Sequence, residues 1–293
     1  MQIKYFVVSV ILSMSLSINA QAQMPVSPGP DSPDSLVSIE PFHIIGNIYY
    51  IGTTVQSTSY LITSPEGHIV IDSMFEKSVP TMLGHVKKLG FNPSDIKYIL
   101  TVHAHSDHVG GHSLLQEETG AQILVMAEDV SIVETGGKAD SAVETPWTPA
   151  KVDRQLKDGD QITVGSSTLT AHLTPGHTQG CTTWTTVAEE EGKKYNVVFM
   201  CGVRIDGPSL LSDPDYPDVA TDLAGTYKVL ESLPVDVYLG GHGYWFNLRE
   251  KIDRMNKGEG YKAFIDPEGY RRAINGWQND FIDKLIKEAM AKK

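Results

Sequence analysis

Apolar and polar positions alternate in short bursts along most of this chain. Runs at 48–51, 59–62 and 68–72 read as strands, with the turn residues Ser64, Pro65, Glu66 and Gly67 separating the last two. Apolar residues spaced for one helical face fill 79–89, and Gly90 closes that segment. A strand at 96–102, a helix at 109–118 and a strand at 122–126 follow. The second half repeats the theme, with strands near 161–164, 168–173, 182–187 and 195–200, a helix at 220–232 and a strand at 235–239. From 267 to 291, Ile274, Trp277, Phe281, Leu285 and Ala289 recur at helical spacing. Strand runs followed by helices, twice over, predict an α/β fold with two sheets face to face and helices outside. One domain over 39–293 accounts for the pattern, behind a Pro-, Ser- and Asp-rich extended leader at 23–38.

The first 22 residues change the picture of where this domain works. Lys4 supplies a positive start, residues 5–16 are largely apolar, and Ala20-Gln21-Ala22 offers a small-residue cleavage site. That apolar stretch is short for a bilayer span, and no later one is long and apolar enough. The expectation is a protein exported to the periplasm, cleaved after Ala22, with no stable membrane association. A formal charge of −12 over 293 residues counts against nucleic acid as a partner.

Candidate chemistry is concentrated in His103-Ala104-His105-Ser106-Asp107-His108, immediately after the strand at 96–102. Three imidazoles and a carboxylate in six residues suit Zn²⁺. Two further candidates, His177 and His242, each follow a β-like run. Six ligands are too many for one zinc, which usually takes four. They divide into His103, His105 and His177 as one tripod, and Asp107, His108 and His242 as another. Two Zn²⁺ per chain is therefore the expectation. Three protein ligands per metal leave a position open, which is the habit of catalytic rather than structural zinc. Zinc lowers the pKa of bound water to about 7. Asp107 is the candidate catalytic group that binds metal and orients the nucleophile. Hydrolysis of an amide or ester in a small molecule is the reaction class this predicts, and a zinc-binding protein without turnover is the alternative. His43, His68, His85 and His172 lack ligand-rich neighbours, and His112 reads as a bystander or a support to the ligands.

Cys181 and Cys201 flank two β-like runs joined by an acidic, Gly-containing turn at 189–193. Pairing of those runs predicts a disulfide in an oxidising compartment. Cys201 as a zinc ligand, or two buried thiols, are the rival readings.

The HxHxDH segment with His177 and His242 resembles the metallo-β-lactamase superfamily. A likeness to its subclass B3 rests on Gly46-Asn47-Ile48-Tyr49-Tyr50-Ile51-Gly52, on Thr174-Pro175-Gly176-His177-Thr178, and on Leu239-Gly240-Gly241-His242 followed by Trp245-Phe246-Asn247-Leu248. Phe264-Ile265-Asp266-Pro267-Glu268-Gly269-Tyr270 adds to it. This resemblance implies a four-layer αβ/βα sandwich, a two-zinc site with the tripods given above, and opening of a β-lactam ring. Many members carry serines that help hold the substrate carboxylate after the strand that ends here near Met200. Gly202 and Arg204 stand at those positions in this chain. Arg204 is the candidate to bind a carboxylate bidentately, with a surface arginine as the other reading. Thioester- and lactone-hydrolysing relatives usually carry a metal-bridging Asp in this stretch. Here it reads Cys201-Gly202, with Asp206 several residues later, so lactone or thioester hydrolysis is the runner-up.

Overall fold

The computed structural model describes residues 37–140, 143, 146–203 and 209–291. The signal-like segment 1–22, the leader up to residue 36, Arg204 and Asp206 lie outside the described residues.

Two sheets form the centre. The first runs in the order β1 (Phe42–Ile45), β2 (Ile48–Tyr50), β3 (Tyr60–Ser64), β4 (Gly67–Ile71), β5 (Ile96–Leu100), β6 (Gln122–Met126), β7 (Arg154–Leu156). Its first four strands pair antiparallel and its last four parallel. The second sheet comprises β8 (Gln161–Val164), β9 (Ser167–Leu173), β10 (Thr182–Glu190), β11 (Lys193–Met200) and β12 (Val237–Gly240), in the spatial order β12-β11-β10-β9-β8. Only the β11–β12 pair is parallel there.

Side-chain alternation explains why four layers form. In the first sheet Ile62, Ile69, Ile71, Leu100 and Leu124 face one way and join Leu169, Ala171, Trp184 and Phe199 of the second sheet in one buried cluster. Their chain neighbours Leu61, Val70, Ile99, Ile123 and Val125 face the other way, into a second cluster under helices. Those helices are α1 (Val79–Lys88), the short α2 (Ser106–Val109), α3 (His112–Thr119) and α4 (Val130–Thr135). In α1, Val79, Met82, Leu83 and Val86 make the buried stripe, and Pro80 sits in the first turn, where no helical N–H is lost. Three later helices, α5 (Val219–Ser232), α6 (Leu248–Arg254) and α7 (Pro267–Ala291), belong to the second half. Tyr227 of α5 packs on Phe281 of α7, and Tyr238 of β12 packs on Tyr270. The α/β sandwich expected from the pattern is the observed architecture.

Two local differences have clear causes. The strand expected over 96–102 leaves the ladder after Leu100, because the Val102 N–H donates to Asp72 Oδ1 at 2.9 Å. The helix expected over 109–118 is instead two pieces, α2 and α3. They part at Gly110-Gly111, where the Gly111 N–H turns to the Met74 carbonyl at 2.9 Å. Both departures release backbone at the end of β5, next to the histidine cluster.

β10 and β11 form the expected hairpin, with Glu191 and Gly192 at its tip, both at positive φ. At the open end Cys181 and Cys201 are joined as a disulfide, with Cα atoms 5.9 Å apart. Cys201 is therefore not a free thiol, against the reading of it as a metal ligand.

Candidate metal centre

All six ligand candidates come to one rim, at the ends of strands from both sheets. His103, His105, Asp107 and His108 follow β5, His177 follows β9, and His242 follows β12. One donor atom from each of His103, His105 and His177 lies within 4.8 Å of the others. In the second group Asp107 Oδ2 is 3.4 Å from His108 Nε2 and 3.7 Å from His242 Nε2, and the two Nε2 atoms are 3.3 Å apart. The groups adjoin through His103 and His108, whose ring centroids are 3.9 Å apart. His103, His108 and His242 are buried, while His105, Asp107 and His177 are partly exposed.

Hydrogen bonds outside the cluster set which nitrogen points inward. His108 Nδ1 donates to Asp72 Oδ2 at 2.7 Å, and His242 Nδ1 donates to the Gln56 carbonyl. Each ring is thereby left with Nε2 facing the centre. Asp72 directly follows β4 with φ +60, a strained value for a non-glycine residue, and is buried. The Ser57 hydroxyl donates to Asp107 Oδ2 at 2.9 Å.

Electrostatics favour lone pairs here. Burial, followed by the neighbouring imidazoles, drives His103 well below the ordinary histidine value. Burial and His108 likewise pull His242 down to about 3, despite Asp107. For Asp107, burial opposes the charge, but His108, His242 and Ser57 outweigh it and hold the carboxyl below the usual range. His108 is the reverse case: burial pulls it down, and Asp107 and Asp72 on either side lift it above normal. Two imidazole nitrogens and a carboxylate oxygen facing one another at 3.3 to 3.7 Å are a set of donors that a shared proton or a metal cation would hold together. His103 Nε2 is buried without a hydrogen-bond partner among the described residues, as expected of an atom reserved for a metal. The nitrogen and carboxylate donor set suits zinc.

These observations agree with the sequence profile of the metallo-beta-lactamase superfamily, which matches residues 52–242. The chain belongs to that superfamily. Among solved structures it is similar to the FEZ-1 metallo-beta-lactamase from Legionella gormanii, with 41% identity and a TM-score of 0.83 over 86% of this chain and 97% of that one. It is also similar to BJP-1, a subclass B3 metallo-beta-lactamase of Bradyrhizobium japonicum, with 32% identity and a TM-score of 0.80 over 89% and 99%. Curated relatives match over shorter stretches. A hydroxyacylglutathione hydrolase of Chelativorans sp. (strain BNC1) is 31% identical over 111 residues, 38% of this chain and 35% of its own length. The chain thus spans about a third of the length of several curated relatives.

The superfamily fold accounts for the sequence candidates differently. Gly202 borders the centre: a Cβ there would stand 3.5 Å from the His177 ring, and only 2.5 Å from Trp245 Cη2. His112 is not a ligand, since Ser73 Oγ at 2.6 Å and Thr101 Oγ1 at 2.7 Å take both its nitrogens. Trp245, quoted above only for the family likeness, packs on His242. Sequence reading passed over Ser57, Gln56 and Asp72, which support the ligands. It also passed over Asp129, fully buried, which accepts from the Ala104 N–H (3.0 Å), the Thr178 hydroxyl (2.8 Å) and the Gly180 N–H (2.8 Å). Burial pushes Asp129 up to about 6, against the pull of those three donors. Of these residues only Asp72, an acid closing an apolar strand, left a local signal.

Proposed function

We propose that this chain is a zinc-dependent β-lactamase that opens the ring of β-lactam antibiotics, with two Zn²⁺ per chain. The carrying observation is the likeness to a solved metallo-beta-lactamase over 97% of that chain at 41% identity. His103, His105 and His177 would hold one ion, and Asp107, His108 and His242 the other. Zinc at these positions supplies Lewis acidity, which polarises an amide carbonyl and lets water ionise near neutral pH.

The chain's own groups do the rest. Asp107, ionised and fixed by Ser57, orients the attacking water by accepting its hydrogen bond. Asp72 and the Gln56 carbonyl keep His108 and His242 in the tautomer that presents Nε2. The net reaction adds water across the lactam C–N bond, with oxygen going to the acyl carbon and a proton to the departing nitrogen. The signal-like segment at 1–22 supports export to the periplasm, where such substrates are met. Gly202 offers no side-chain hydroxyl to a substrate carboxylate, and a Cβ there would stand 2.5 Å from Trp245 Cη2. Arg204 is the candidate to hold that carboxylate.

The test is hydrolysis of a chromogenic cephalosporin by the mature protein, with and without a zinc chelator. Turnover abolished by the chelator and restored by zinc is the expected result. Asp107→Ala should lower kcat by at least about 100-fold while the protein stays folded, as removal of a group acting at the reacting atoms does. The match to a hydroxyacylglutathione hydrolase favours a second reading, thioester hydrolysis at the same centre. A protein with two zincs bound that leaves the cephalosporin intact but cleaves a glutathione thioester would establish that one.

A further inference from the structure

Asp129 immediately precedes α4, at the N-cap position, where an aspartate ordinarily accepts from the helix's own N–H groups. Here it makes no such cap. Its carboxylate is turned the other way, into the floor beneath the metal centre. Oδ2 takes the Ala104 N–H at 3.0 Å and the Thr178 hydroxyl at 2.8 Å, and Oδ1 takes the Gly180 N–H at 2.8 Å. Ala104 lies between His103 and His105, and Thr178 follows His177. One buried carboxylate thus joins the two loops, one from each sheet, that carry the first tripod. The fit is close on both sides. A Cβ on Gly180 would lie 2.5 Å from Asp129 Cγ, so the loop after His177 admits the carboxylate only because residue 180 is glycine.

We propose that Asp129 is the positioning residue of the first tripod: it sets the separation of the His103–His105 segment from His177, and with it the affinity of that tripod for zinc. This rests on the zinc reading given above. Among the described residues the hydrogen bonds of Asp129 go to Ala104, Thr178 and Gly180, whereas Asp107, His108 and His242 are supported by Ser57, Asp72 and Gln56. The effect of Asp129 should therefore fall on one of two zincs. An asparagine is not an adequate substitute. Whichever way its amide is turned, an NH₂ group meets a backbone N–H, either that of Gly180 or that of Ala104.

The experiment is equilibrium competition of Zn²⁺ between the mature protein and a chromophoric chelator, with Co²⁺ absorption as the spectroscopic readout of each site. Asp129→Asn should weaken one zinc about 10-fold and Asp129→Ala up to about 100-fold, the range found for supports of metal-binding histidines. The second zinc should keep its affinity. Thr178→Val removes a single donor and guards against loss of folding in the Asp129 variants. It should weaken the same zinc several-fold, and Thr178→Ser should restore it. Equal weakening of both zincs would reduce Asp129 to a general stabiliser and overturn the proposal. So would wild-type affinities in all four variants, while leaving the two-zinc reading intact. A wild-type protein that binds no zinc would overturn both.

Discussion

Placing at position 202 the serine that many subclass B3 relatives carry should destabilise this protein rather than improve it. Gly202 has no side chain, and its missing Cβ would stand 2.5 Å from Trp245 Cη2 and 3.0 Å from Cζ2. Carbon atoms rest at about 3.5–4.0 Å, so the indole would have to move by about 1 Å. Its flank meets the His242 ring at a centroid distance of 4.5 Å and the Trp277 ring at 6.2 Å, so the indole cannot give way without disturbing them. Overpacking of this kind costs about 1–3 kcal/mol. For a domain of this size that lowers Tm by roughly 2–12 °C. The assay is thermal unfolding of Gly202→Ser, Trp245→Leu and the double variant. Most of the penalty should vanish when the indole is absent, giving an interaction energy of about 1–2 kcal/mol in the cycle. Wild-type Tm in Gly202→Ser, or the same penalty in both backgrounds, would refute the packing argument.

Two other perturbations test other parts of the structure. Asp72→Asn should weaken zinc at the second tripod by about 10–100-fold. An amide that satisfies the Val102 N–H must offer NH₂ to His108 Nδ1, which shifts that ring's proton to Nε2; unchanged zinc affinity would reject the tautomer argument. Lys251 is buried, 3.2 Å from Asp266 and beside the rings of Tyr238 and Phe246, and burial pulls its ammonium down to about 8 from 10.5. Between those values the unfolded chain binds the proton more fully than the folded one, so this group adds stability as pH rises. From pH ~7.5 to ~9.5 the wild type should gain about 2 kcal/mol relative to Lys251→Met in denaturant unfolding. A constant gap would show that the ammonium is not disfavoured by its surroundings.

What could be read from the chain alone follows from how local each feature is. His103 to His108 declare themselves because four donors share six residues, and His177 and His242 because each closes an apolar run. The sheets were legible through alternation, as in α1 and α7 through helical spacing. By contrast β7 has three residues and α4 six, too short for a period to show. The break at Gly110-Gly111 depends on the Met74 carbonyl, a partner outside the helix. Asp129 was invisible for the same reason: its three donors belong to loops remote in sequence, and in isolation it reads as an ordinary helix cap. Ser57 and Gln56 lie in a segment with no period at all, and only the fold brings them beneath Asp107 and His242.

Each tripod takes two donors from the rim of the seven-stranded sheet and one from the rim of the five-stranded sheet. An ion in either place is thus a clasp across the seam between the halves of the molecule, fastened at the open end. Prying the halves apart would mean surrendering coordination bonds as well as buried surface, and occupancy adds RT ln(1 + [Zn²⁺]/Kd) for each clasp. Chelation should therefore be felt first as loosening along the seam, with amide exchange quickening at the strand ends while the far edges of both sheets stay protected.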